Sequence, residues 1–405
     1  MNRTKNAWNR RNFIYALGGA GLAWALNPLD LFAMEDLDPR VAAIVAKSIG
    51  IDTHNHIEVP LISSELPGPS IDLSGDMTKS GLSAICMTFA VDYQQLKNPG
   101  DAIERFRNGM TGMDTALAMN NMTRSLNLKD LEMAHRQKKP TIVQSVEGGH
   151  FLEGDVKRVD EAYERGLRHL TLLHDNDASV PLGDVYTNPS RWGGLTSFGA
   201  EVIKACNRKG ILIDMAHANK ETLTAALKLT KKPLMISHTG LDTQLGDNPF
   251  MSKMMLPRLI SKDQAKMVAD TGGIIGVWTH LAATPMDYAK NIKAMADIIG
   301  IDHVCIGTDT KLTQPYRSPS SFNSGDMQQK ERLTKPSEND NKKTAGRTEP
   351  EGERVGERTN LAWKAQKEGF YYLVVDALLK IGFSGDDIEK VGGKNFCRLF
   401  NAATS

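Results

Sequence analysis

The chain has 405 residues, 40% of them hydrophobic and 24% charged, enough to bury one large α/β barrel with additions or two ordinary domains. A formal net charge of +1 gives no reason to expect nucleic acid or an acidic membrane surface as partner, and suits a small-molecule substrate. The cysteines Cys86, Cys206, Cys305 and Cys397 stand far apart with no CxxC spacing, which reads as buried free thiols.

Arg3, Lys5, Arg10 and Arg11 precede an apolar, glycine-containing run over 13–26, a charged region followed by a hydrophobic one. Asn9-Arg10-Arg11-Asn12-Phe13-Ile14 has the pattern of a twin-arginine export signal. Residues 1–33 are therefore set apart from the fold, with cleavage expected near Ala33 and a periplasmic or other extracytoplasmic location. The run is short and glycine-rich for a transmembrane helix of about 20 apolar residues. Membrane association would need this segment to stay uncleaved.

From residue 50 onward, strand-sized apolar runs alternate with longer amphipathic stretches, the pattern of repeated β-α units. Eight strands are expected, ending near His56, Val91, Glu147, His174, His217, His238, His280 and Asp309. Helices are expected over 101–119, 156–165, 197–209 and 263–270, with Gly210 and Gly272-Gly273 as stops. This span matches a (β/α)8 TIM-type barrel within a domain of residues 34–405. A doubly wound open sheet is the alternative, but it does not ordinarily bring side chains from so many strands to one point. Residues 311–360 are rich in Ser, Pro, Lys, Glu and Asn, and bury too little surface to offset their ordering entropy. They read as a solvated insertion after strand 8, disordered or acting as a lid. C-terminal helices are expected over 361–381 and 386–401.

Side chains at the carboxyl ends of parallel strands converge on one rim. His54 and His56, two apart on the first strand, share a face. Glu147 ends the third strand before Gly148-Gly149, and His217 and His238 end successive later strands. Four imidazoles and a carboxylate at equivalent positions suffice for two divalent metals, with Glu147 able to bridge through its two oxygens. Such a site polarises a scissile carbonyl and lowers the pKa of a bound water toward neutrality. Zinc is the first choice, and manganese, cobalt or iron accept the same nitrogen and oxygen ligands. His280 lies on the same rim and is assigned no role.

The ordered set Asp52-Thr53-His54-Asn55-His56, Glu147-Gly148-Gly149, Leu170-Thr171-Leu172-Leu173-His174, Leu195 to Gly199, Asp214-Met215-Ala216-His217 and Ser237-His238 resembles the membrane (renal-type) dipeptidase family. So do Pro257-Arg258, Gly307-Thr308-Asp309 and the tail Gly392 to Arg398. The resemblance implies a zinc-dependent, amidohydrolase-like barrel that hydrolyses dipeptides with hydroxide generated at two zinc ions. It places the first ion on His54, His56 and Glu147, and the second on Glu147, His217 and His238. His174 would contact the substrate and the oxyanion, Asp309 would handle protons, and Arg258 would hold the substrate carboxylate. Two positions depart from the family pattern: HxH replaces HxD in the first strand, and Leu259 follows Arg258 where asparagine is usual. The first makes one metal site more positive and softer, and the second loosens the link to a strictly dipeptide substrate.

Two rival readings follow. One is an amidohydrolase-like enzyme acting on another small amide, lactone or ester, and the other an exported, non-catalytic binding protein on the same barrel. A homodimer is compatible with the sequence.

Overall fold

The computed structural model describes residues 37–93, 96–316, 318, 358–364 and 366–405. The expected export segment and most of the 311–360 insertion lie outside the described residues. Eight parallel strands form the predicted barrel: β1 (Ile51–His56), β2 (Ala84–Ala90), β3 (Thr141–Glu147), β4 (His169–Thr171), β5 (Leu212–Asp214), β6 (Met235–Thr239), β7 (Ile274–Val277) and β8 (Val304–Ile306). They pair in chain order, and β8 and β2 both pair with β1, which closes the ring. A two-residue β9 (Thr310–Lys311) extends β1 at its carboxyl end, opposite Asn55 and His56.

Four strands are shorter than expected. β4, β5, β7 and β8 end three residues before His174, His217, His280 and Asp309, so those side chains stand on the loops above the sheet. At His217 and Asp309 the backbone turns left-handed, with φ of 68° and 56°, a conformation no strand ladder accommodates. Helices Asp101–Met119, Arg158–Glu164, Ser197–Lys209 and Lys262–Asp270 lie where the pattern places them. Thr196 and Ser261 cap the last two, and Gly210, at φ 88°, stops the third.

The C-terminal region differs from expectation. A single 3-10 turn covers Thr359–Leu361, and the helix begins only at Phe370 and runs to Lys380. Trp363 folds inward instead, stacks on Phe370 at 5.2 Å, and donates its indole N–H to the Ala282 carbonyl. The stretch expected as one helix over 386–401 divides into Gly385–Glu389 and Asn395–Thr404 around a five-residue π turn. There Gly393 lies against the Ile49 carbonyl, where a Cβ would sit 1.8 Å from the oxygen. Phe396 and Phe400 from the last helix plug the amino end of the barrel against Ile51, Val143, Leu212 and Met235. All four cysteines are buried free thiols. No helix among the described residues is long and apolar enough to cross a membrane.

The two flanks of the insertion meet at the carboxyl rim. Lys311 bridges to Arg358, whose guanidinium donates to the Leu312 carbonyl. The intervening chain thus leaves and returns at one point, beside the end of β1.

The barrel interior is tight. Thr53 on β1 reaches across to donate to the Ser237 carbonyl on β6, 2.8 Å away. A Cβ on Gly276 would lie 1.9 Å from that same carbonyl. Gly276→Ala is expected to lower the unfolding free energy by about 2–3 kcal/mol, since backbone here cannot yield. Gly385→Ala, which meets only Ile44 Cδ1 at 4.0 Å, should stay within about 0.5 kcal/mol. Urea denaturation of both variants checks the pair.

Candidate metal centre

β1 projects His54 and His56 from one face, and their Nε2 atoms lie 3.3 Å apart. Across the rim, His217 and His238 bring their Nε2 atoms to 3.1 Å. Glu147, at the end of β3, stands between the two pairs. Its Oε1 is 3.0 Å from His217 Nε2, 3.4 Å from His54 Nε2 and 3.7 Å from His238 Nε2. Its Oε2 is 3.8 Å from His56 Nε2 and 3.4 Å from His174 Nε2. The five side chains singled out in the sequence do converge.

Which ring nitrogen faces the centre follows from the surrounding hydrogen bonds. Ser237 donates its hydroxyl proton to Asp214 Oδ2, 2.6 Å away, so its oxygen is left to accept. It accepts from Nδ1 of His238 at 2.9 Å and of His54 at 3.3 Å. His217 Nδ1 donates to Asp175 Oδ1 at 3.0 Å, since a carboxylate only accepts. In these three rings the Nε2 lone pair therefore points inward. His56 Nδ1 is held by the Tyr93 hydroxyl at 2.7 Å.

Such an arrangement fits a divalent cation. The paired ring nitrogens stand 3.1 and 3.3 Å apart, and Glu147 Oε2 is buried with no hydrogen-bond partner among the described residues. Two ligands on tetrahedral zinc, each bonded at about 2.05 Å, stand about 3.3 Å apart, the spacing seen here. Asp214 also lies close to His54 and His238. Its oxygens are taken by Thr171, Ser237 and the Ala216 amide, so it orients the ring-holding serine and leaves the centre to others.

The electrostatics agree with the geometry. Burial pushes His54 well below the ordinary imidazole range, with His238 adding to it, and burial also lowers His238. Burial by itself would raise Glu147, but the imidazoles of His174 and His54 and the hydrogen bond from His217 hold it well below the usual carboxylate range. For His217, burial is overcome by hydrogen bonds to Asp175 and Glu147, which lift it to about 10. A divalent ion held there would take the place of that proton, and Asp175 at Nδ1 would strengthen the ring as its ligand.

Over residues 39–317 the sequence matches the model of the membrane dipeptidase family. The chain belongs to that family. Among solved structures, an amidohydrolase from Pseudomonas aeruginosa superposes with a TM-score of 0.67 at 24% identity, covering 90% of this chain and 99% of its own. The probable dipeptidase PvdM from the same organism gives 0.66 at 15% identity, with 90% and 98% covered. A metallo peptidase from Rhodobacter sphaeroides, liganded with a phosphinate mimic of the dipeptide L-Ala-D-Ala, gives 0.59 at 15%, with 88% and 100% covered. At these identities the three share the barrel with this chain. As a member of that family, the protein is a metallopeptidase, a hydrolase that works with a divalent metal.

The other rim residues of this family member fall into place around the centre. His174 holds Asp92 Oδ1 through Nδ1 at 2.6 Å and turns Nε2 toward Glu147. Against burial, Glu147 and Asp92 raise its pKa. Asp309 accepts from His56 Nε2 at 2.9 Å and from His280 Nε2 at 2.7 Å. Burial would raise its pKa, yet His238 and His280 hold it well below the ordinary range. Arg258 does not face the centre directly: its Nη2 donates to Asp175 Oδ2 at 2.7 Å. Sequence reasoning missed Asp92, Tyr93, Asp175 and Tyr186, and left His280 without a partner. Asp92-Tyr93 follow β2 after the single residue Val91, and Asp175 directly follows His174, so rim position was their signal. Tyr186, whose hydroxyl is 2.8 Å from His217 Nδ1, sits on a long loop with no pattern to mark it.

Proposed function

We propose that the protein hydrolyses dipeptides at a two-zinc centre, His54, His56 and Glu147 holding one ion and Glu147, His217 and His238 the other. One observation carries this reading: a buried carboxylate standing between two pairs of inward-facing imidazoles. The ions would polarise the peptide carbonyl and acidify a water. The protein's own groups supply the rest. His174, its Nδ1 proton fixed on Asp92, presents an Nε2–H donor to the oxygen on which negative charge develops, a contact worth on the order of 3 kcal/mol. Were His56 Nε2 to hold an ion, Asp309 Oδ1 would lose that donor and be free to accept the attacking water's proton. His280 fixes the other oxygen. Asp309 then returns that proton to the leaving amine as the C–N bond breaks, so one water is consumed and one acid and one amine are released. The twin-arginine-like residues Arg10 and Arg11 support export of the folded, metal-loaded chain.

The test is metal analysis of the purified full chain together with turnover of a dipeptide panel. Two equivalents of zinc and hydrolysis are expected. Metal without turnover would favour a different small amide, lactone or ester, and neither metal nor turnover a binding protein. At a thousandfold excess over its Kd, an ion binding only the native state adds about 4 kcal/mol of stability. Chelation is therefore expected to lower Tm by several degrees, and zinc to restore it.

A further inference from the structure

Arg258 is the residue expected to receive a substrate carboxylate, but its charge is already matched inside the protein. The 3-10 turn Leu256–Arg258 is anchored by Thr239, whose hydroxyl donates to the Arg258 carbonyl at 2.9 Å. From there the guanidinium reaches Asp175 Oδ2 through Nη2, and Nη1 faces the Met254 carbonyl at 3.4 Å. Asp175 cannot swing away freely, because its other oxygen accepts from His217 Nδ1. The Tyr186 ring lies beneath, 5.8 Å from the guanidinium and stacked on His217. Leu259 turns toward Met255, Trp278 and Leu281 and offers no polar group.

A carboxylate approaching Arg258 would thus meet a neutral ion pair with Asp175 as its near neighbour. The Asp175 carboxylate, already bonded to Arg258 Nη2, carries the same charge as the incoming group and opposes its binding, and the proton it holds is not available to a clamp. Flanking surface is apolar: Phe250, Met254 and Leu256 on the same helix and turn are 74%, 40% and 50% exposed. We propose that Asp175 sets the specificity of this site, closing an ion pair with Arg258 so that the carboxyl end of the substrate is taken uncharged, as an amide-capped dipeptide. This inference rests on the peptide-hydrolase reading above.

The experiment compares free dipeptides with their C-terminal amides on the zinc-loaded full chain, with zinc in excess. Wild type is expected to hydrolyse the amides with kcat/KM within about tenfold of the free acids or above them. Asp175→Asn removes the charge and keeps one acceptor oxygen, which can serve His217 Nδ1 or Arg258 Nη2 where the carboxylate serves both. Any effect on His217 and its metal falls on both series alike, so the expected result is read as a ratio: the acid-to-amide ratio of kcat/KM rises about tenfold, through KM for the free acids. A wild-type preference for free acids beyond about a hundredfold overturns the proposal whether or not the variant folds. So does a variant that folds and leaves the acid-to-amide ratio unchanged. If the zinc-loaded wild type cleaves neither series, the peptidase reading itself falls, and this inference with it.

Discussion

Glu147→Gln is expected to remove both ions of the proposed two-zinc centre and to lower kcat/KM by roughly 10⁴-fold or more. The side chain keeps its size, so the barrel has no cavity to absorb and the change is one of charge and donor type. In the native site the carboxylate stands within 4 Å of the Nε2 atoms of His54, His56, His174, His217 and His238. An amide offers one weaker acceptor and two N–H donors, which would face imidazole lone pairs on one side and a cation on the other. The amide could then not serve two ions at once. Elemental analysis with circular dichroism checks this: a folded variant that keeps two equivalents of zinc would refute the bridging role.

Asp309→Asn is expected to lower kcat by about 10²- to 10⁴-fold while leaving the metal content intact. The left-handed backbone at Asp309, φ 56°, suits asparagine as well as aspartate, so the loop should keep its course. His280 would still find an acceptor in the amide oxygen, but no group would remain to carry a proton between water and leaving amine. Asp309 also clusters with His54 and His56 closely enough to coordinate. Loss of one zinc equivalent in this variant would make it a ligand of that ion rather than the proton carrier.

Most of the barrel was legible because its signals are local. A parallel strand buried on both faces is a short apolar run, as β2 (Ala84–Ala90) and β7 (Ile274–Val277) show, while β1, Ile51-Asp52-Thr53-His54-Asn55-His56, was marked by its histidine pair. The helix over Asp101–Met119 and the one over Ser197–Lys209 were marked by apolar period and by the Gly210 stop. The C-terminal helices were less legible. Trp363 looks like a helical apolar position until Phe370 and Ala282 are placed beside it. Likewise, Gly393 breaks the last helix because the Ile49 carbonyl, far away in sequence, comes too close for a side chain.

The sequence alone determined the chemistry of the centre, since imidazoles and a carboxylate at strand ends can meet only at one rim if the sheet closes. The tertiary structure decided what holds and tunes them. Ser237 fixes two imidazole tautomers because Asp214 takes its proton, Asp92 orients His174, and Asp175 joins His217 to Arg258. These partners come from different strands and loops, and a hydrogen bond depends on angstroms between chain segments rather than on residue order. For that reason the side chains that converge could be named from the chain, while the state of Arg258 could be seen only in the fold.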